Sequence, residues 1–213
     1  MMKDRIVIAA CLAVLWLQPA PAAEWTQLLD KDLTQWDRVG DGVWTVMRDG
    51  TLLGQRDPKQ STHQAWLYTK KDFGEYDLHL EWWTCLGGNS GVSVRDTSRA
   101  KYAVGTDWDA QRTPSHIGYE IQISNGDADK YPSGSIYLFD RAKTGSQIDN
   151  DWNSFDIESR EDIIRVKLNG QVVSQYAGEP GRPKAGPVGL QLHDSKSLAM
   201  FRNIRIREIK RKR

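Results

Sequence analysis

The chain has 213 residues, with 29 basic and 28 acidic side chains and a formal net charge of +1. That balance excludes a nucleic-acid binder as the default reading, and the length suits one large domain rather than several. Nine tryptophans are many for this length; a flat apolar ring with one polar edge suits a packed core and also the C–H face of a sugar.

In chain order, Lys3 and Arg5 precede an apolar run from Ile6 to Leu17, too short for a comfortable membrane span. Ala20-Pro21-Ala22 then offers a cleavage site. Residues 1–22 therefore read as a secretory signal peptide, and the mature chain is expected in the periplasm or outside the cell. Two alternatives are a weak lipoprotein box at Ile8-Ala9-Ala10-Cys11 and an uncleaved anchor. Cleavage removes Lys3, Asp4 and Arg5 and leaves as many basic as acidic residues. It also removes Cys11, so Cys85 stands without a disulfide partner and reads as a buried small hydrophobe.

From Glu24 onward the pattern is that of strands. A short amphipathic piece leads to a turn at Asp30-Lys31-Asp32. Val43 to Val46 and Thr51 to Leu53 flank an Asp49-Gly50 hairpin turn, and Ala65 to Thr69 is a further strand. Tyr76 to Trp83 alternates, with Leu78, Leu80 and Trp82 on one face and His79, Glu81 and Trp83 on the other. Asn89 to Arg95 alternates again, placing Gly91, Ser93 and Arg95 outward. Residues 96–117 form a long polar loop of the kind that is often functional. Gly118 to Ser124 sets Tyr119, Ile121 and Ile123 against Glu120, Gln122 and Ser124, the latter spaced roughly 7 Å apart. Strands are also predicted at 135–139, 152–158, 163–168, 171–176, 188–193 and 199–209, with a second hairpin turn at Asn169-Gly170. About a dozen strands with Gly- and Pro-rich turns and no long helical period predict an all-β, two-sheet antiparallel sandwich over 23–210, followed by a basic tail at 211–213.

Several pieces occur together in order: Leu28-Leu29-Asp30 with Trp36, Asn89-Ser90-Gly91, Gly118-Tyr119-Glu120-x-Gln122, Ser133-Gly134-x-Ile136-Tyr137, Trp152-Asn153, Leu168-Asn169-Gly170, Gly189-Leu190-Gln191-x-His193 and Phe201-Arg202-Asn203-Ile204. The set resembles the 3-keto-disaccharide hydrolase domain family across essentially the whole mature chain. The resemblance implies a concanavalin A-like jelly roll and action on glycosides whose sugar carries a ketone at C3. Val94 before the arginine and Asp194 after the histidine depart from the family pattern and bear on substrate range.

A C3 ketone acidifies the hydrogen on C2. A base can remove it, the enolate can expel the aglycone from C1, and water can add back. The route needs a base, a donor to the C3 oxygen and an acid for the leaving oxygen; a divalent metal, Ca²⁺ or Mg²⁺, is an alternative electrophile. Glu120 is the candidate base, Arg95 the enolate stabiliser and His193 the acid or a metal ligand. Glu81, Gln122, Gln191, Asn89 and Tyr137 are candidate substrate contacts, and Trp83 or Trp108 could stack on the sugar. Asn125, Asp127 and Asp129 space oxygen ligands as at the start of a calcium loop, although Gly126 is out of place, no glutamate completes it and a plain Asx turn is the favoured reading. The expected partner is a small carbohydrate, with no nucleic acid, no membrane contact beyond the signal and the oligomeric state left open. Two other functions fit the same residues: a two-carboxylate glycosidase built on Glu81 and Glu120, and a non-catalytic carbohydrate-binding module.

Overall fold

The structure, a computed structural model, describes residues 24–57, 59, 63–126 and 130–209. The leader, Asp127, Asp129 and the 211–213 tail lie outside them. Among the described residues thirteen strands form two antiparallel sheets. The larger has eight strands: β1 (Thr26–Gln27), β3 (Val43–Val46), β4 (Leu52–Gln55), β6 (Tyr76–Thr84), β9 (Asn153–Arg160), β10 (Ile163–Leu168), β11 (Gln171–Tyr176) and β13 (Leu198–Glu208). The smaller runs in the order β2 (Trp36–Val39), β5 (Ala65–Thr69), β12 (Val188–Leu192), β7 (Asn89–Val94) and β8 (Tyr119–Ser124). This is the two-sheet antiparallel sandwich that the strand pattern predicts, and the jelly roll that the family resemblance implies.

One core lies between the sheets. The larger sheet sends in Leu78, Leu80, Trp82, Phe155, Ile157 and Phe201; the smaller sends in Val92, Val94, Ile121, Ile123, Leu190 and Leu192. Period-2 alternation therefore reports the core face correctly on both sheets. The two predicted hairpins form, with Gly50 at φ 85° and Asn169-Gly170 at φ 50° and 80°, as a tight turn between twisted strands requires.

The 96–117 segment carries two 3₁₀ turns, at 101–103 and 105–107, and one helical turn, α1 (Pro114–Ile117). It lies against the outer face of the smaller sheet, where Ala100 and Ala103 form a second apolar cluster with Trp66 and Tyr68. That cover explains β5, which is buried on both faces.

Three expectations need correction. Residues 135–139 are a tight turn: Ile136 bonds both ways with Asp140, and Leu138 sits at φ 74° with its side chain exposed. The piece before residue 40 contains a pairing strand, β2, on the smaller sheet. Cys85 is half-buried rather than core.

Candidate functional site

Strand register lays out the outer face of the smaller sheet as rows of side chains. Across the first row stand Tyr137, Glu120, Ser93, Gly189 and Tyr68. Tyr137 donates its N–H to the Glu120 carbonyl at 2.8 Å; Glu120 pairs with Ser93, Ser93 with Gly189, and Gly189 with Tyr68. The second row holds Gln122, Gly91, Gln191 and Trp66, with Gly91 beside Gln191 when the β7–β12 register is carried one residue further. Continued by two more residues, the register brings Asn89 beside His193.

The two glycines shape this face. A Cβ on Gly91 would lie 2.7 Å from Glu120 Oε1, so the carboxyl group lies over that bare backbone, near Gln191. A Cβ on Gly189 would lie 2.7 Å from Tyr68 Cζ, so the phenol lies over the other. The face is a floor without side chains at two points, and an acid and a phenol occupy the space.

Glu120 is 5% exposed. Burial pushes its carboxyl up to about 8, tempered by nearby Gln191. Gln191 is fully buried, and beyond its contact with Glu120 its amide makes no hydrogen bond; the fully buried Ser93 hydroxyl makes none beyond its contact with Tyr68. Unpaired buried polar groups cost free energy, so a site that keeps them has them available for something else. Beside them, Gln122 Nε2 donates to Asn89 Oδ1 at 3.3 Å.

Tyr68 donates to Asp96 Oδ2 at 2.8 Å. Asp96 is fully buried and accepts three more donors: Ser98 N–H at 3.0 Å, Ser98 Oγ–H at 2.6 Å and Ala100 N–H at 2.7 Å. Burial and the Asp96 charge push the Tyr68 phenol well above its ordinary value, so it serves as a fixed donor. Asp96 thereby fastens the start of the covering segment to the sheet. Asp96→Ala would strand four donors and is expected to destabilise the protein by about 3 kcal/mol, read as a lower urea midpoint with faster proteolysis within 96–117.

The structure gathers Glu120, Gln122, Gln191, Asn89 and Tyr137 on this face. His193 lies at its end, 43% exposed, with Nδ1 3.7 Å from Asp194 Oδ2. Trp108 is 40% exposed and stacks on His63 with ring centroids 4.6 Å apart and planes 3° from parallel.

Three candidates go elsewhere. Arg95 takes φ 63° and leaves the alternation. Its guanidinium is buried and donates twice to Ser159 Oγ, at 3.1 and 2.7 Å, on the opposite sheet. The backbones of Gly118 and Gly186 crowd this kink, where an added Cβ would meet Arg95 C at 2.6 Å or Arg95 Cα at 2.8 Å. Glu81 and Trp83 lie on the outer face of the larger sheet. Burial raises the Glu81 carboxyl, but Asn203 and Arg202 hydrogen bonds bring it below the usual range, and Trp83 Nε1 donates to Asn150 O at 3.3 Å. This face is laced with polar contacts: Asp77 forms ion pairs with Arg160 and Arg207, and His79 Nδ1 hydrogen-bonds Asp156 Oδ1 at 2.7 Å. Glu81 and Glu120 thus face away from each other and cannot flank one glycosidic bond.

Among the described residues no group of three His, Cys, Asp or Glu side chains is placed to hold a metal ion. Asn125 donates its amide to Thr84 O at 3.2 Å and serves the 84–88 turn. Tyr68, Trp66, Ser93 and Asp96 belong to this face or support it, and the strand pattern does not single them out. The run Ala65-Trp66-Leu67-Tyr68-Thr69, apolar on both faces, is the sequence signal of a doubly covered strand, and Asp96-Thr97-Ser98 is an Asx-turn signature.

The model of the family described as the 3-keto-alpha-glucoside-1,2-lyase-like domain matches residues 24–207. A candidate glycosyl hydrolase from Parabacteroides distasonis ATCC 8503 is 26% identical, with a TM-score of 0.68 over 87% of this chain and 100% of its own. A second candidate glycosyl hydrolase from that organism is 21% identical, with a TM-score of 0.64 over 87% of this chain and 94% of its own. The carbohydrate binding module CBM66 from Bacillus subtilis shares the fold at 14% identity, with a TM-score of 0.55 over 82% of this chain and 96% of its own. No curated protein matches.

Proposed function

Because the chain belongs to the 3-keto-alpha-glucoside-1,2-lyase-like domain family, we propose that it cleaves 3-keto-glycosides by elimination across C1 and C2, with Glu120 as the base. The observation that carries this reading is the buried Glu120 carboxyl, raised to about 8, beside the buried Gln191 amide on the outer face of the smaller sheet. A carboxylate this hard to ionise is a stronger base than a solvated one, which suits proton removal from carbon.

In the proposed reaction the C2 proton passes to Glu120 and its electron pair spreads onto the C3 oxygen. The Gln191 amide N–H and the Ser93 hydroxyl are donors for that oxygen. The enolate then re-forms the ketone as the C1–O bond breaks, leaving a C1=C2 double bond. The leaving oxygen takes a proton from His193, two residues beyond Gln191. Water adding at C1 completes a net hydrolysis. Gln122 and Asn89 are placed to hold sugar hydroxyls. With Arg95 in the core, these amides and the hydroxyl take the role expected of the guanidinium.

Export of the mature chain is part of the proposal, and rests on the leader pattern of residues 1–22. The test is turnover of a 3-keto-glucoside by purified protein, with and without added Ca²⁺ or Mg²⁺. Release of aglycone with a transient conjugated enone is expected, and the unoxidised glycoside should remain intact. Absence of turnover under every metal condition sinks the reading. Tight binding of sugar without turnover would identify the site as a carbohydrate-binding module instead, a function that the shared fold also allows.

A further inference from the structure

We propose that Trp108, braced by His63, is the platform for the aglycone, and that the enzyme favours leaving groups that present a flat ring over short alkyl ones. This rests on the elimination reading, which sends the leaving oxygen toward His193.

The placement follows from register. Leu192 pairs with Ala65 on β5. Carried on, the same antiparallel register sets Gln64 opposite His193 and His63 opposite Asp194. Arg56 ties these chain ends together: its fully buried guanidinium donates to Leu192 O at 3.2 Å and to His63 O, and pairs with Asp41 at 2.6 Å. The Gln64 N–H donates to Ala103 O at 3.2 Å, and the Asp109 N–H to Tyr102 O at 2.9 Å. Residues 101–109 are thereby held along the start of β5, with Trp108 at the His193 end.

The ring itself is prepared for stacking. His63 lies parallel to it at 4.6 Å, so one face is supported by the imidazole. The residue remains 40% exposed, within the exposed run 105–108 that follows the buried Ala100 and Ala103. Beyond His193 a cavity of about 420 Å³ lies between the 85–89 and 194–197 turns, with Asn89 and Asp194 in its lining; Trp108 and His63 are outside it. An exposed indole held at a fixed tilt offers a π face to the C–H side of a second pyranose or to an aryl ring, and it offers little to a methyl group.

Three substrates separate the outcomes: a 3-keto-disaccharide, an aryl 3-keto-glucoside and methyl 3-keto-glucoside. Trp108→Ala is expected to lower kcat/KM about tenfold for the two ring-bearing substrates and leave the methyl glycoside unchanged. Trp108→Phe should recover much of the loss. His63→Ala should move the same two substrates in the same direction, and His63→Phe, which can still stack, should restore them. A larger loss on the disaccharide than on the aryl glucoside identifies a sugar as the preferred leaving group; the reverse identifies an aromatic one. Equal losses on all three substrates, or none, overturn the platform. Calorimetric titration of the wild-type and Trp108→Ala proteins with the unoxidised disaccharide reads the platform without turnover. If no 3-keto-glycoside reacts, the elimination reading falls, and an unchanged affinity in the variant overturns the platform as well.

Discussion

Replacing Glu120 with glutamine is expected to lower kcat for a 3-keto-glucoside by about 10²–10⁴-fold while leaving the protein at least as stable at neutral pH. The first half follows from the loss of a positioned base. The second follows from the same burial that tunes it. In the folded protein the carboxyl is raised from 4.5 to about 8, so the protonated form is the one that folding favours. Below the unfolded value both states hold the proton and the full stability is present. Between about 4.5 and about 8 unfolding releases a proton, so stability falls as pH rises through this window. Wild type should therefore lose urea resistance from pH 5 to pH 8, and Glu120→Gln should lose less. Activity runs the other way. Only the ionised form can accept the C2 proton, so kcat/KM should climb about tenfold per pH unit and level off above about 8. A rate that is flat between pH 6 and pH 8, or a stability slope that survives in Glu120→Gln, contradicts the assignment.

That coupling clarifies what the sequence could and could not disclose. Alternation on 118–124 placed Glu120 on a polar face, and this is a local property that survives in the structure. Glu81 carries the same local signature on β6. What separates them is the sheet each strand joins. β6 pairs with β9 and β13, whereas β8 pairs with β7, and strand alternation reports a face without naming the sheet. Glu81 ended in a solvated ion-pair lattice; Glu120 ended under cover. Arg95 fails for a different reason. Its left-handed backbone packs directly against the Gly118 and Gly186 backbones, which lie 23 and 91 residues further along the chain. No pattern within 89–95 encodes that crowding. Asp96 then takes the place by Tyr68 that simple alternation would have kept from it. The hairpins at Asp49-Gly50 and Asn169-Gly170 were legible because their chemistry is wholly local, whereas the turn at 135–139 was hidden because Ile136 and Leu138 mimic a strand face.

The two glycines of the floor should respond to the same substitution in opposite ways. Gly189→Ala places a methyl group against the Tyr68 ring, whose Cζ lies 2.7 Å away. That ring cannot yield: it is fully buried among Trp66, Ala100 and Ala103, and its hydroxyl is held by Asp96 at 2.8 Å. Forced overpacking of this kind costs about 1–3 kcal/mol, and the upper end is expected here because moving the ring also breaks the Asp96 bond. Gly91→Ala places its methyl group 2.7 Å from Glu120 Oε1 and 3.0 Å from Glu120 Cγ. Here the obstacle is a flexible side chain, which can swing aside at a cost of about 0.5–1.5 kcal/mol. The fold should tolerate the change, but the carboxyl would leave the space beside Gln191. A displacement of about 1 Å in a reacting group costs about 10²-fold in rate. Thermal melts and kcat measured on both variants should therefore diverge: Gly189→Ala melts early, and Gly91→Ala melts near wild type but turns over slowly. If Gly91→Ala retains full activity, the carboxyl position above that glycine is not the reactive one, and the base must be sought elsewhere on the face.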